Sequence, residues 1–154
     1  MSRPVDLAAD AAWPIAYIEP AGDGSWQPAP PGAGLLAALL ALEEPGGGEL
    51  IDICGWELGG GGSPWWLRTG AVGWLGPRWL DRCRRVDRPL RIVGTPKAWL
   101  RDRGEAVCIV DWNIDLLALL GGLRVAPESP ALERLIRRKL AEQRRDAVQF
   151  VGAA

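Results

Sequence analysis

Three strand-cap-helix units follow one another between residues 90 and 146, and no other feature of the chain constrains its fold as strongly. Leu90 to Val93 is an apolar run, and Thr95-Pro96 after it caps and opens a helix ending near Gly104. Ala106 to Val110 is the second run, with Asp111-Trp112-Asn113 as the cap of a helix that stops at Gly121-Gly122. Leu123 to Ala126 is the third, and Ser129-Pro130 caps the last helix. At each cap a short polar side chain takes up a backbone N–H that the helix cannot satisfy itself. Proline in the first turn costs nothing, because its missing N–H has no partner there anyway. Repetition of this unit predicts parallel strands joined by right-handed crossovers. The last helix carries Leu132, Leu135, Ile136 and Leu140 as an apolar stripe, with Arg134, Arg137, Arg138, Lys139, Arg144 and Arg145 over much of the remainder. A terminal strand, Ala147 to Val151, is expected after it.

The first half is less regular. Ile15 to Glu19 is a short strand candidate, and the proline-rich stretch from Gln27 to Gly32 reads as an extended connector. Leu35 to Leu42 is expected to form a short helix, stopped by Pro45 and Gly46 to Gly48. Glu49 to Glu57 alternates as a strand, and Gly59 to Gly62 with Ser63-Pro64 forms a loop. Trp65 to Arg68 and Ala71 to Leu75 read as a hairpin turned at Thr69-Gly70, and Pro77 opens a basic helix, Arg78 to Arg85. The expected fold is therefore α/β: a small, mostly parallel sheet over residues 90–146, extended by antiparallel strands and a hairpin from residues 15–75. A length of 154 residues suits one domain, 1–154, with a Pro/Gly-rich segment 1–34 and a main body 35–154.

Composition narrows the chemistry. The chain has nine Trp, one Tyr, one Phe and no His. Without histidine a Ser-His-Asp triad is excluded, and the commonest metal ligand is lost with it. Cys54, Cys83 and Cys108 are widely spaced and form no Cys-x-x-Cys pair. Cys54 and Cys108 read as small core residues, whereas Cys83, set among arginines, is the one candidate for a reactive thiol. No apolar run approaches the roughly 18 residues of a membrane span, and no secretory signal is visible at the N-terminus. A cytoplasmic protein with no membrane partner is expected. Neither glycine cluster continues into the Lys-Ser/Thr of a phosphate-binding loop.

Two groups of residues carry the functional possibilities. In an open α/β sheet, ligands bind beyond the carboxyl ends of the strands. Asp111, Asp115 and Glu128 would gather there and could hold magnesium, with Lys97 facing a phosphate. The plainer reading makes the same acids helix caps and first-turn residues, and needs no cofactor. The second group is Trp65, Trp66, Arg68, Trp74, Arg78, Trp79, Arg82, Arg84, Arg85, Arg88 and Arg91. Trp and Arg dominate the energetics of protein interfaces. Interleaved, they also suit the stacked bases and phosphates of single-stranded nucleic acid. A purely structural reading buries Trp66 and Trp74 and leaves the arginines solvated.

Charge is unevenly distributed. Residues 1–64 hold nine acids and one base, whereas residues 65–154 hold seventeen bases and ten acids. Either the chain presents two functional faces or its halves neutralise each other. Sixteen Arg against two Lys points to a GC-rich genome. The segment RIVGTPKAWLRDRGEAVCIVDW (residues 91–112), with WWLRTG (65–70) and WLG (74–76), resembles uncharacterised proteins carried by phages and mobile elements of GC-rich proteobacteria. That resemblance implies a mobile-element setting and no particular activity. The leading expectation is a non-enzymatic protein-binding adaptor using Trp65, Trp66, Arg68, Trp74, Arg78, Trp79, Arg82, Arg85 and Arg88. A magnesium-dependent enzyme acting on nucleotides or nucleic acid through Asp111, Asp115 and Glu128 is the alternative, and a single-strand binder the third.

Overall fold

The computed structural model describes residues 14–43, 49–59 and 64–149. They divide into two compact units: residues 14–42, 50–59 and 64–71 in the first, and 43, 49 and 72–149 in the second.

The first unit is an antiparallel sheet of five strands: β1 (Ile15–Pro20), β2 (Trp26–Pro28), β3 (Leu35–Glu43), β4 (Leu50–Glu57) and β5 (Trp65–Leu67), in the order β2-β1-β3-β4-β5. The β1-β2 hairpin turns where Asp23 accepts the Ser25 N–H and hydroxyl, bonds that hold its carboxyl below the usual range. Between β2 and β3 the chain reverses at Gly34, which sits at φ +78° with the Ile18 carbonyl oxygen 2.3 Å from where a Cβ would stand. Only glycine fits both conditions.

The expected helix at Leu35 to Leu42 is instead β3. Its apolar run has no period of either kind, and length alone does not separate a buried strand from a helix in such a run. Pairing decides. Tyr17 lies opposite Leu36 and Ile15 opposite Ala38, and successive residues Ala37 and Ala38 are both buried. A strand covered on both faces reads as a continuous apolar run. The connector from Gln27 to Gly32 likewise begins inside β2 rather than between elements.

The sheet curls so that its two edges meet. Leu67 N–H donates to the Gly24 carbonyl at 3.2 Å, and the Arg68 guanidinium donates to the Trp26 carbonyl at 2.9 Å while lying 5.5 Å from the centre of the Trp26 ring. Trp26 in turn donates its indole N–H to the Ile53 carbonyl. Ile18, Trp26 and Ala37 form the small core, with Leu35, Leu39, Ile53 and Trp66 packed against it.

The second unit alternates strand and helix: β6 (Trp74–Leu75), α1 (Pro77–Val86), β7 (Leu90–Val93), α2 (Pro96–Arg101), β8 (Val107–Ile109), α3 (Leu116–Leu120), β9 (Val125–Pro127) and α4 (Pro130–Gln149). The strand order is β6-β8-β7-β9. Strand β7 is parallel to both β8 and β9, as the repeated units predict, whereas β6 joins β8 antiparallel. The sheet is therefore mixed rather than mostly parallel. Of the strands expected from residues 15–75 to extend it, β6 does so, antiparallel on β8, whereas β1 to β5 form a sheet of their own. The expected hairpin at Thr69-Gly70 is absent for the same reason: β5 pairs with β4, and β6 pairs with β8. Asp52 explains the divergence. It is 3% exposed, and its carboxylate accepts the N–H groups of Ile53, Thr69 and Ala71, fixing the chain as it leaves β5.

Two caps stand where the sequence places them. Thr95 accepts from Ala98 N–H and Ser129 from Leu132 N–H. The third moves: Asp111 closes a local turn onto Asn113, and Asp115 caps α3 by accepting from Ala118. Both are Asp, and the sequence offers no means of ranking them. At the C-terminus the expected strand from Ala147 is helical through Gln149, and residues 150 and 151 lie outside the described residues. The core gathers Trp74, Trp79, Leu80, Leu90, Ile92 and Val107 with Leu116, Leu119, Leu132 and Ile136.

Candidate interaction surface

Helix α1 sorts its residues cleanly. Gly76, at φ +98°, lets Pro77 enter at the first position. Trp79, Leu80 and Cys83 then point into the core. Arg78, Arg82 and Arg85 are exposed at spacings of four and three, which places them along one outward stripe. Arg84 and Arg85 stand in the last turn, where positive charge opposes the partial negative charge of the carbonyl ends. Beyond it Asp87 adopts φ +49°, and Arg88 N–H returns to the Cys83 carbonyl at 3.1 Å.

That turn carries Arg88 back over the helix. Its guanidinium lies 5.3 Å from the centre of the Trp79 ring, and that of Arg82 lies 5.4 Å from the same ring. Trp79 itself is only 8% exposed, and its buried indole N–H has no partner among the described residues. A ring fixed in the core thus positions two exposed cations. Arg78 is ion-paired with Glu43 of the same unit, and Arg84 donates to the Leu119 carbonyl of α3 at 3.0 Å.

The tryptophans of the predicted surface are less available. Trp74 is buried in the second unit's core, and Trp65 and Trp66 are half-buried on β5 in the first. Arg68 is held on Trp26. The predicted group is thereby split: Trp65, Trp66 and Arg68 belong to one unit, while Trp74, Arg78, Trp79, Arg82, Arg85 and Arg88 belong to the other. Arg91 is paired with Asp102. Cys83, the one candidate for a reactive thiol, is fully buried with its thiol directed at the Pro89 carbonyl. Burial raises its pKa against the opposing pull of Arg88 and Arg82, so it is not primed as a thiolate.

At the acidic edge each carboxylate already holds a backbone N–H. Asp111 holds that of Asn113, Asp115 that of Ala118, and Glu128 that of Gly94 at 2.6 Å. Lys97 is exposed on α2. Among the described residues no group of three acids or cysteines is placed to hold a metal ion.

Sequence reasoning missed a groove of about 450 Å³ between α3 and α4, with Leu117, Leu120, Val125 and Leu140 among its lining residues. The available signal was Leu117, an exposed leucine on a five-residue helix that runs into Gly121-Gly122. No helix among the described residues is long and apolar enough to cross a membrane. No family model, no curated protein and no solved structure matches the chain.

Proposed function

We propose that the chain is a non-enzymatic binding protein whose contact surface is the arginine face of α1 and whose partner is an acidic protein surface. The observation that carries this reading is the placement of Arg82 and Arg88 on one buried indole. Arginine side chains normally lose considerable rotamer freedom on binding, and side chains ordered beforehand lose less. Both arginines are exposed, and neither forms an ion pair among the described residues. They suit bidentate capture of carboxylates.

This favours a protein partner over single-stranded nucleic acid. Stacking on bases requires exposed aromatic faces, whereas Trp74 and Trp79 lie in the core. The magnesium-enzyme reading has less support, since Asp111, Asp115 and Glu128 serve as acceptors for backbone N–H groups. The likeness of residues 91–112 to proteins of phages and mobile elements suggests an accessory factor working in the cytoplasm. Affinity purification from the native host, with and without nuclease, tests the reading when repeated with Arg82→Glu/Arg88→Glu. A stoichiometric protein partner that survives nuclease and is lost from the double variant is the expected result. A partner released by nuclease, or one indifferent to the double variant, would overturn it.

A further inference from the structure

The groove between α3 and α4 is independent of the α1 surface, and its chemistry identifies an occupant. Its apolar lining includes Leu117, Leu120, Val125, Pro127 and Leu140. Leu117 is 36% exposed, and Leu140 half-buried at the end of the α4 stripe. The α4 rim carries Glu133, Arg137 and Arg144, the two arginines seven residues and so about 10 Å apart along one helix face. Arg137 is already bonded to Glu133, while Arg144 is exposed with no ion pair among the described residues. Gln143 ties the two walls together: its side-chain oxygen accepts the Leu116 N–H at 3.1 Å, and its nitrogen donates to the Ile114 carbonyl at 2.6 Å. The groove is therefore built into the fold rather than opened by a loose side chain.

The geometry points to docking of a short amphipathic helix from a partner protein, with leucine-type residues on its inner face and carboxylates flanking them. An apolar floor between two helices is the setting in which an amphipathic helix lays its anchors at i, i+3, i+4 and i+7. The spacing of Arg137 and Arg144 matches two turns of such a helix. Their charge selects acidic over basic flanks. Phosphate-rich ligands are disfavoured by the leucine floor. An added strand is disfavoured because Pro127, in the edge strand β9, has no N–H to give to a ladder.

The test uses the full chain and a fluorescein-labelled peptide of about 15 residues, near the shortest length at which isolated helices persist. It carries leucines at helical spacing with glutamates on its flanks, and a twin replaces every glutamate by lysine. Fluorescence anisotropy at low salt should give saturable binding of the glutamate peptide, with the lysine twin weaker by about tenfold or more, a difference of about 1.4 kcal/mol. Leu117→Glu should abolish binding, and Arg144→Glu should reverse the preference between the peptides. Both residues are exposed, and thermal melting monitored by circular dichroism establishes that the variants remain folded. Should Leu117→Glu unfold, reversal by Arg144→Glu alone decides the question. Equal affinity for both peptides, no binding, or binding unmoved by either variant would overturn the proposal. So would concentration-dependent self-association that Leu117→Glu removes, because the occupant would then be a second copy of the chain. Arg82→Glu/Arg88→Glu should leave peptide affinity unchanged, so this site and the α1 surface stand or fall separately.

Discussion

Gln143 and Leu116 are joined across two helices: the glutamine side chain caps the first N–H of α3 from the sixth residue before the end of α4 as described. The same amide reaches the Ile114 carbonyl, so one side chain satisfies an orphan donor and an adjacent acceptor. Short helices rely on such external partners, because a five-residue helix cannot meet its own nucleation cost.

Replacing Gln143 by Ala should therefore lower stability by about 1–2 kcal/mol, the combined loss of a cap and a side-chain hydrogen bond. Urea denaturation measures this directly. Amide exchange should show the loss concentrated in residues 116–120, with β7 and β8 little affected.

Asp52→Ala should cost about 2–3 kcal/mol, since it removes the acceptor of the Ile53 and Thr69 N–H groups and leaves that of Ala71 with the Thr69 hydroxyl alone. Asp52→Asn should fall between Ala and the parent, because an amide retains one acceptor oxygen. Comparison of the two denaturation midpoints checks the order.

Much of the second unit was legible in the sequence, because its local signals and its final contacts agree. Thr95 and Ser129 cap the helices they precede, and β7 pairs in parallel on both sides. The first unit was harder to read. Leu35 to Leu42 carries no periodicity, and what makes it a strand is pairing with Tyr17 and Ile15, many residues earlier. The interaction surface was half legible. Arginines at helical spacing could be recognised from Arg78, Arg82 and Arg85, but the burial of Trp74 and Trp79 depends on packing that composition does not encode. The α3–α4 groove had one faint sign, Leu117, because concavity arises from how two helices diverge.

Cys54 gives a prediction with a definite sign. Burial, reinforced by the nearby Asp52 charge, pushes its thiol from 9.0 up to about 12. The folded state then holds a proton that the unfolded chain releases. Its contribution is complete below about pH 9 and is lost progressively as pH rises toward about 12. Stability should fall across that window, and Cys54→Ala should fall less steeply over the same range. Denaturation series between these limits test it. A parent and variant with parallel pH profiles would contradict the assignment.

Gly34→Ala should destabilise the first unit by about 2–3 kcal/mol, combining a left-handed backbone with a close approach to the Ile18 carbonyl. Gly22→Ala, where a Cβ would meet no atom within 4 Å, serves as the control and should be nearly silent.

The closure of the first sheet by Arg68 on Trp26 joins positions forty-two residues apart. The β1-β2 pairs, by contrast, link near neighbours such as Pro20 and Trp26. Closing a longer loop costs more entropy before any contact repays it. The unit therefore acquires its seam last: during synthesis the β1-β2 hairpin can zip as soon as it emerges, while the sheet stays open-edged until β5 has been made. In that interval β2 presents an unpaired edge, and the time taken to synthesise the chain as far as β5, far longer than any loop closure, sets how long it remains exposed to mispairing.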